Sequence, residues 1–227
     1  MTTQEKILGR IREALSTPAV QPDGHAIPSA PDSTAASPNL REWLPAVGSS
    51  MEEQFTLFAK NCADLRADFQ RLGRRDDLPA ALARLRDTEN WRRIASHDGE
   101  LSRFAAASLG LPVLFTDRGY DPQALEQCDA GITECDALIA QTGGVALTSR
   151  SAGGRALSVL PPHHVVLARR EQLVADLPAA LALLQRKYAP DFPSMISFIT
   201  GPSRTGDIER ILVLGAHGPK KLTILCV

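Results

Sequence analysis

The sequence has 227 residues, of which 44% are hydrophobic and 22% charged, with a formal net charge of −1 at pH 7. A chain of this length and composition can bury a large core without disulfides or metals. The near-neutral charge argues against a general electrostatic surface for nucleic acid or anionic membranes. No window approaches the roughly 18 apolar residues that span a bilayer, and the charged amino terminus is not a signal peptide, so we expect a cytoplasmic protein.

The amino-terminal part of the chain predicts a helix followed by a linker. Residues 4–15 place Ile7, Leu8, Ile11 and Leu15 on one helical face. Residues 18–48 are rich in proline and poor in large apolar groups, which is typical of an extended linker or arm. We therefore divide the chain into a helix (1–17), a proline-rich arm (18–48) and an α/β domain (49–227).

The domain begins with a long stripe of apolar residues at helical spacing, which predicts one helix of about three heptads. A helix that faces the core of the domain is favoured over an intermolecular coiled coil. The stripe consists of Met51, Phe55, Phe58, Cys62, Leu65, Phe69 and Leu72. Two further helices are predicted over 78–86 and 100–109, the second closed by Gly110.

After Gly110 the pattern changes to short apolar runs interleaved with one more helix, whose face carries Leu177, Leu181, Leu184 and Tyr188. The glycines at 143 and 144 indicate a hairpin-like turn between two of the runs. The pattern predicts an α/β fold with a mostly parallel or mixed central sheet between helices. The predicted strands cover 111–116, 137–140, 145–148, 156–160, 164–168, 194–200, 211–214 and 222–227.

The segment Thr200-Gly-Pro-Ser-Arg-Thr-Gly-Asp-Ile-Glu209 follows a predicted strand, where ligands collect in open α/β sheets. Backbone N–H groups, two hydroxyls and a guanidinium could hold a phosphate or carboxylate there. Plain capping of a following helix explains the same residue types. The nearby loop Gly215-Ala-His-Gly-Pro219 carries His217, either an acid–base group or a solvent-exposed histidine.

A third candidate is Gly131-Ile-Thr-Glu-Cys-Asp136 with Gln141-Thr-Gly-Gly144. Glu134 lies in a turn-rich, apolar stretch, and either proton transfer or simple solvation would account for it. The adjacent His163 and His164 would point to opposite faces of a strand, so they do not predict a metal site. The four cysteines show no C-x-x-C pair, which favours reduced, mostly buried thiols over a cluster or disulfides.

These segments, in this order and spacing, resemble the lactate-utilisation protein C family and its LUD domain. The resemblance covers about residues 50–227, and the G-P-S-R-T-x-D-I-E and H-G-P motifs carry most of it. It implies a fold similar to the sugar-isomerase/CoA-transferase-like group (the NagB/RpiA/CoA-transferase fold). It also implies a role in oxidising L-lactate to pyruvate beside iron–sulfur partner proteins. Gln141 replaces the glutamate usual in the family, which argues against proton transfer at that position.

The resulting hypothesis is a subunit of a lactate-oxidising assembly that binds a small carboxylate or another anion. No cofactor is assigned to this chain, because the iron–sulfur clusters are expected in the partners, and a homo-oligomer is compatible with the sequence. The alternatives are a stand-alone enzyme on a CoA-, folate- or sugar-phosphate-type ligand, or a non-catalytic assembly subunit. The candidate catalytic residues are Glu134, Asp207, Glu209 and His217. The candidate anion-binding residues are Thr142, Gly143, His163, Gly201, Ser203, Arg204, Thr205 and Gly218.

Overall fold

The structure is a computed structural model that describes residues 3–16, 46–205, 213–215 and 218–227. The chain divides into two compact units, Met1–Trp43 and Leu44–Val227. In the first unit, the helix α1 covers Thr3–Ser16, as predicted, and exposes Ile7 and Leu8. Most of the predicted proline-rich arm, residues 18–45, lies outside the described residues. None of the described helices is long and apolar enough to cross a membrane.

The second unit is built on a six-stranded sheet in which every neighbouring pair is parallel. The strands are β1 (Asp68–Arg71), β2 (Ile94–Ser96), β3 (Val113–Phe115), β4 (Ala130–Glu134), β7 (His163–Ala168) and β12 (Lys221–Cys226). Their order in the sheet is β1-β12-β7-β4-β2-β3. The helices of this unit are α2 (Met51–Asp64), α3 (Leu78–Glu89), α4 (Glu100–Leu109), α5 (Pro122–Glu126) and α6 (Leu177–Tyr188).

The two faces of this sheet are both buried, as the alternation along β7 demonstrates. Val166 and Ala168 pack with Phe58 of α2, whereas Val165 and Leu167 pack in a second cluster with α3 and α4. Successive side chains of a strand point to opposite faces, so each face of β7 belongs to a different core. The predicted mostly parallel central sheet between helices is therefore confirmed.

A smaller four-stranded sheet lies beside the first, in the order β8-β5-β6-β9. The hairpin predicted around Gly143 is confirmed, because β5 and β6 are antiparallel neighbours. Only Cys135 and Asp136 separate β4 of the large sheet from β5 of the small one. The strands are β5 (Ala137–Ile139), β6 (Gly144–Thr148), β8 (Leu173–Val174) and β9 (Ile196–Ile199); β10 (Arg204–Thr205) pairs separately with β11 (Val213–Leu214).

The predicted long helix after residue 51 is wrong beyond Asp64. The Ser50–Glu53 capping box starts α2, but Leu65 caps its end and Arg66 turns the chain with φ of 61°. Phe69, expected on the helical stripe, instead belongs to β1, which pairs with β12. Its ring nevertheless packs edge-on against Phe58 at 4.9 Å between centroids, so the apolar character reflects the shared core.

One further local prediction is wrong. The predicted strand over 156–160 is a short 3₁₀ turn at Ala156–Ser158. The carbonyl oxygen of Leu157 comes so close to Gly131 that a Cβ there would lie 2.3 Å away, so this turn packs across β4 rather than pairing with it. After Thr200, Arg204–Thr205 form the strand β10, and residues 206–212 lie outside the described residues, so capping of a helix there stays an open alternative.

Candidate active site at the carboxyl edge of the parallel sheet

A cleft of about 380 Å³ lies where β2, β3, β4 and β7 end. The carboxyl ends of parallel strands are the usual position of ligand sites in open α/β sheets. The cleft volume is within the range of small-molecule sites. Its walls carry His97, Asp98, Gly99, Asp117, Glu134, Cys135, Arg150, Ser151, Arg169, Gln172, Lys187 and Tyr188.

Glu134 ends β4 with its carboxylate at the amino terminus of α4. Its Oε1 accepts hydrogen bonds from the backbone N–H groups of Leu101 at 2.9 Å and Ser102 at 3.2 Å, and from the Ser102 hydroxyl at 3.2 Å. Its Oε2 lies 3.5 Å from the guanidinium of Arg169. Helix amino termini favour negative charge, so this carboxylate is held in one place by donors on two elements.

His97 follows β2 and is almost completely buried, with 4% of its surface exposed. Its Nε2 accepts a hydrogen bond from the Glu134 backbone N–H at 3.1 Å and lies 3.3 Å from the Ser102 hydroxyl. Burial lowers the pKa of His97 and outweighs the opposing effect of the carboxylates of Glu134, Asp117 and Asp98. The neutral imidazole is therefore the dominant form at pH 7.

The grouping of Ser102, His97 and Glu134 is not a nucleophilic triad. Ser102 is fully buried in α4, so its hydroxyl cannot reach a ligand in the cleft. The acid contacts the serine directly rather than the far nitrogen of the histidine, and the backbone N–H of Glu134 occupies the nitrogen that a base would use. The three residues form a positioning network behind the cleft surface.

The opposite wall comes from the small sheet and α6. Asp136, whose side chain is fully buried, accepts hydrogen bonds at Oδ1 from Lys187 Nζ and the Tyr188 hydroxyl, both at 2.6 Å. Burial raises the pKa of Asp136, but hydrogen bonds from Lys187, Ser151 and Tyr188 outweigh it and lower the pKa overall. For Lys187, burial lowers the pKa, and the contact with Asp136 raises it by more. Asp136 therefore fixes a charged lysine at the cleft.

Arg150 adds a second cation to this wall of the cleft, beside Lys187. Arg150 forms an ion pair with the exposed Asp191, and its guanidinium lies 5.5 Å from the centre of the Tyr188 ring. Lys187 Nζ lies 5.2 Å from the same ring centre. Arg150 and Lys187 thus flank one aromatic ring, whereas Arg169 belongs to the Glu134 wall.

Glu134 is separated from two of the predicted anion-binding residues, His163 and Ser203. His163 begins β7 and pairs with Ala130, whereas Glu134 pairs with Leu167 near the end of the same strand. Four residues of strand correspond to about 13 Å. The Ser203 N–H donates to the Pro219 carbonyl at 2.9 Å, just before β12 begins, so Ser203 lies at the amino-terminal edge.

Some of the predicted anion-binding residues at the amino-terminal edge of the parallel sheet do lie close to one another. A Cβ added to Gly218 would meet the Cβ of Ser203 at 3.1 Å, and a Cβ added to Gly201 would lie 3.1 Å from Arg204 Nη2. The cavity between Gly201, Ser203 and the described residues around them is only about 20 Å³. That is room for one water molecule rather than a carboxylic acid.

Thr142 and Gly143 lie in the hairpin turn between β5 and β6, and Gly143 has a structural role there. The Asn61 side chain of α2 donates to the carbonyls of Ala140 at 2.9 Å and Gln141 at 3.0 Å. Gly143 has φ of 64°, and a Cβ there would lie 2.8 Å from Asn61 Cβ. The glycine therefore allows α2 to pack directly on the turn.

The remaining candidates lie largely outside the described residues. The structure does not describe Asp207, Glu209 and His217. For Thr205 it describes only the backbone pairing of β10 with β11. Their roles stay predictions.

The adjacent histidines of β7 contact two different neighbouring strands. His163 Nε2 lies 2.9 Å from the Thr223 hydroxyl of β12, and His164 Nε2 lies 2.9 Å from the Thr133 hydroxyl of β4. Within the described part of the chain, no three His, Cys, Asp or Glu side chains come together as a metal-binding group.

The four cysteines are buried free thiols, as predicted. Burial raises the pKa of Cys62 to about 12 and that of Cys226 to about 11. Burial likewise raises the pKa of Cys128 and of Cys135. Such thiols are poor metal ligands and poor nucleophiles.

The sequence profile of the LUD domain matches residues 114–227. "Lactate utilization protein C" of Shouchella clausii is 31% identical over 79% of this chain and 81% of that protein. The proteins of the same name from Geobacillus kaustophilus and Oceanobacillus iheyensis are 29% and 27% identical, covering 83% and 79% of this chain and 84% and 82% of their own.

The fold is similar to that of a solved protein. The crystal structure of a DUF162 family protein from Deinococcus radiodurans at 1.70 Å resolution aligns with a TM-score of 0.60 and 24% sequence identity. The alignment covers 79% of this chain and 99% of that chain.

Proposed function

Because the chain belongs to the lactate utilization protein C family of LUD-domain proteins, we propose that it binds a small 2-oxygenated carboxylate, such as L-lactate or pyruvate, in a lactate-oxidising assembly. The observation that carries the proposal is the cleft at the carboxyl edge of the parallel sheet, with Arg150 and Lys187 on one wall. The iron–sulfur partner proteins would carry the electrons.

The carboxylate is assigned to Arg150 and Lys187 for reasons of charge and hydrogen bonding. Lys187 uses one of its three N–H donors on Asp136, and its side chain is 49% exposed. Arg150 is 47% exposed, and its partner Asp191 is 84% exposed, so that ion pair is weak and readily rearranged. Both cations therefore keep donors for an incoming anion, whereas Arg169 already contacts Glu134 and Glu100.

Substitution of Arg150 by Gln tests the assignment. We expect the dissociation constant for L-lactate to rise about tenfold, because a charge-assisted hydrogen bond contributes roughly 1.5–3 kcal/mol and a tenfold change corresponds to about 1.4 kcal/mol. Isothermal titration calorimetry on the purified full chain measures the change.

The matched control is Arg155→Gln. Arg155 lies in the same glycine-containing loop and is exposed, but it does not line the cleft. Its substitution should leave the dissociation constant unchanged. If both variants weaken binding equally, the effect is a general loss of positive charge, and the cleft assignment is wrong.

A separate experiment tests whether the chain works as part of a lactate-oxidising assembly. We expect L-lactate-dependent reduction of an electron acceptor only when the chain and its iron–sulfur partners are combined. Full activity of the partners without this chain would contradict a role in the reaction. Turnover by this chain alone would favour the stand-alone enzyme.

The relation to the sugar-isomerase/CoA-transferase-like fold group is also proposed. It is supported by the parallel six-stranded sheet with an accessory sheet beside its carboxyl edge.

A further inference from the structure

The hydrogen bonds of His97 define which of its nitrogens carries the proton. Nε2 accepts from the backbone N–H of Glu134 at 3.1 Å, and an N–H group can only donate. Nε2 must therefore be unprotonated, and the proton of the neutral ring is on Nδ1. The Ser102 hydroxyl, 3.3 Å from Nε2, can also donate to this nitrogen.

The Nδ1–H group of His97 has no acceptor in the described part of the chain. The Nδ1 atoms of His163 and His164 also lack partners there, but both are sealed from solvent. The Nδ1 of His97 is not among these sealed atoms, and His97 lines the cleft. A side chain that is only 4% exposed thus presents one polar atom, a donor, to the cleft.

We propose that His97 is a ligand-binding residue whose Nδ1–H donates a hydrogen bond to the oxygen on C2 of the bound carboxylate. This inference rests on the proposed function and specifies it further. The ring is held from behind by the Glu134 backbone, so its donor is fixed in direction before the ligand arrives.

The arrangement selects a class of ligand. A donor-only group pairs with a carbonyl oxygen or with a lone pair of a hydroxyl. A ligand with a methylene at C2, such as propionate, offers no acceptor to the imidazole N–H. An unpaired buried donor costs binding free energy. The cleft should therefore prefer 2-hydroxy and 2-oxo acids to the acid that lacks this oxygen.

Two substitutions separate the two nitrogens. The amide of Asn reaches the position of Nδ1, so His97→Asn keeps a donor towards the cleft. The amide of Gln reaches the position of Nε2, so His97→Gln keeps an acceptor for the Glu134 N–H but leaves nothing at Nδ1. The Gln variant is thus the one that preserves the local fold and removes the ligand contact.

Calorimetric titration of the full chain with L-lactate, pyruvate and propionate provides the test. The wild type should bind L-lactate and pyruvate about tenfold more tightly than propionate. In His97→Gln this ratio should fall to near one with propionate binding unchanged, and His97→Asn should retain most of it. A ratio that survives in His97→Gln overturns the inference.

The nitrogen-15 spectrum of the histidine rings is a readout that needs no ligand. The chain has five histidines, and the signals missing from His97→Gln identify those of His97. A protonated Nδ1 with an unprotonated Nε2 is expected above pH 7, where the ring is neutral, and the reverse tautomer overturns the inference.

The outcomes also separate the two proposals. Equal binding of all three acids overturns the role of His97 and leaves the carboxylate site standing. Binding of none of them overturns the proposed function, and the role of His97 with it.

Discussion

Lowering the pH from 6.5 to 4 is expected to reduce the free energy of unfolding by about 3 kcal/mol through His164 alone. His164 is fully buried, its Nε2 is paired with the Thr133 hydroxyl, and its Nδ1 has no partner. Burial, together with the neighbouring His163, lowers its pKa to about 3. An unfolded histidine titrates near pH 6.5, so between these values the unfolded chain binds a proton that the folded chain does not. Stability is therefore complete above about pH 6.5 and declines below it.

His163 adds to the same slope. Burial lowers its pKa to about 4, with Lys221 lowering it further and Glu89 and Asp68 opposing. Urea unfolding at pH values from 7.5 to 4 measures the combined effect. The control is His164→Gln, which keeps a group at the Nε2 position but does not titrate. Its free energy of unfolding should depend less steeply on pH, by up to about 1.4 kcal/mol per pH unit. An unchanged slope would show that His164 does not titrate as described.

Replacing Gly143 by alanine is expected to destabilise the domain by about 3 kcal/mol. Part of this loss comes from the left-handed backbone, because Gly143 has φ of 64°. The rest comes from packing, since the new Cβ would lie 2.8–3.0 Å from Asn61 Cβ, Asn61 C and Cys62 N. Two of these atoms are helix backbone, so relief would require α2 to move off the hairpin turn.

Gly110→Ala is the matched control for this substitution. Gly110 has nearly the same φ of 63°, at the carboxyl cap of α4, but a Cβ there has no atom within 4 Å. The free energy of unfolding should therefore fall only by the conformational cost of about 1–2 kcal/mol. Urea unfolding of the two variants at pH 7 gives the difference, and equal losses would mean that the contact with α2 contributes nothing.

Elements with local signals were predictable from the sequence. Gly110 ends α4 in the left-handed conformation, and the Asp176 side chain caps α6 through the Ala179 N–H at 2.9 Å. The strand β1 was not predictable, because Phe69 continues the helical spacing of α2. Its identity is decided by pairing with Ile224 of β12, which is distant in sequence. Long-range pairing overrides local periodicity here.

The candidate site was only partly predictable. Glu134 stands out in the sequence as a carboxylate beside a strand, and the structure places it in the cleft. His97 follows a three-residue strand that is too short for a periodic signal. Tyr188 is predicted on the same helical face as Leu184, and Lys187 carries no signal of its own in the sequence. Their contacts with Asp136 depend on how α6 packs on the small sheet. Strand ends that are remote in sequence meet only in the folded domain.

The buried thiols can report on local opening of the folded protein. At pH 8, pKa values of about 11 and 12 leave Cys226 and Cys62 about 0.1% or less ionised in the native state. Alkylating reagents attack the thiolate, so labelling of these positions has to wait for the domain to open. Cys226 lies on β12 and Cys62 on α2. The order in which they are labelled would therefore show whether the parallel sheet or the helix covering it opens first.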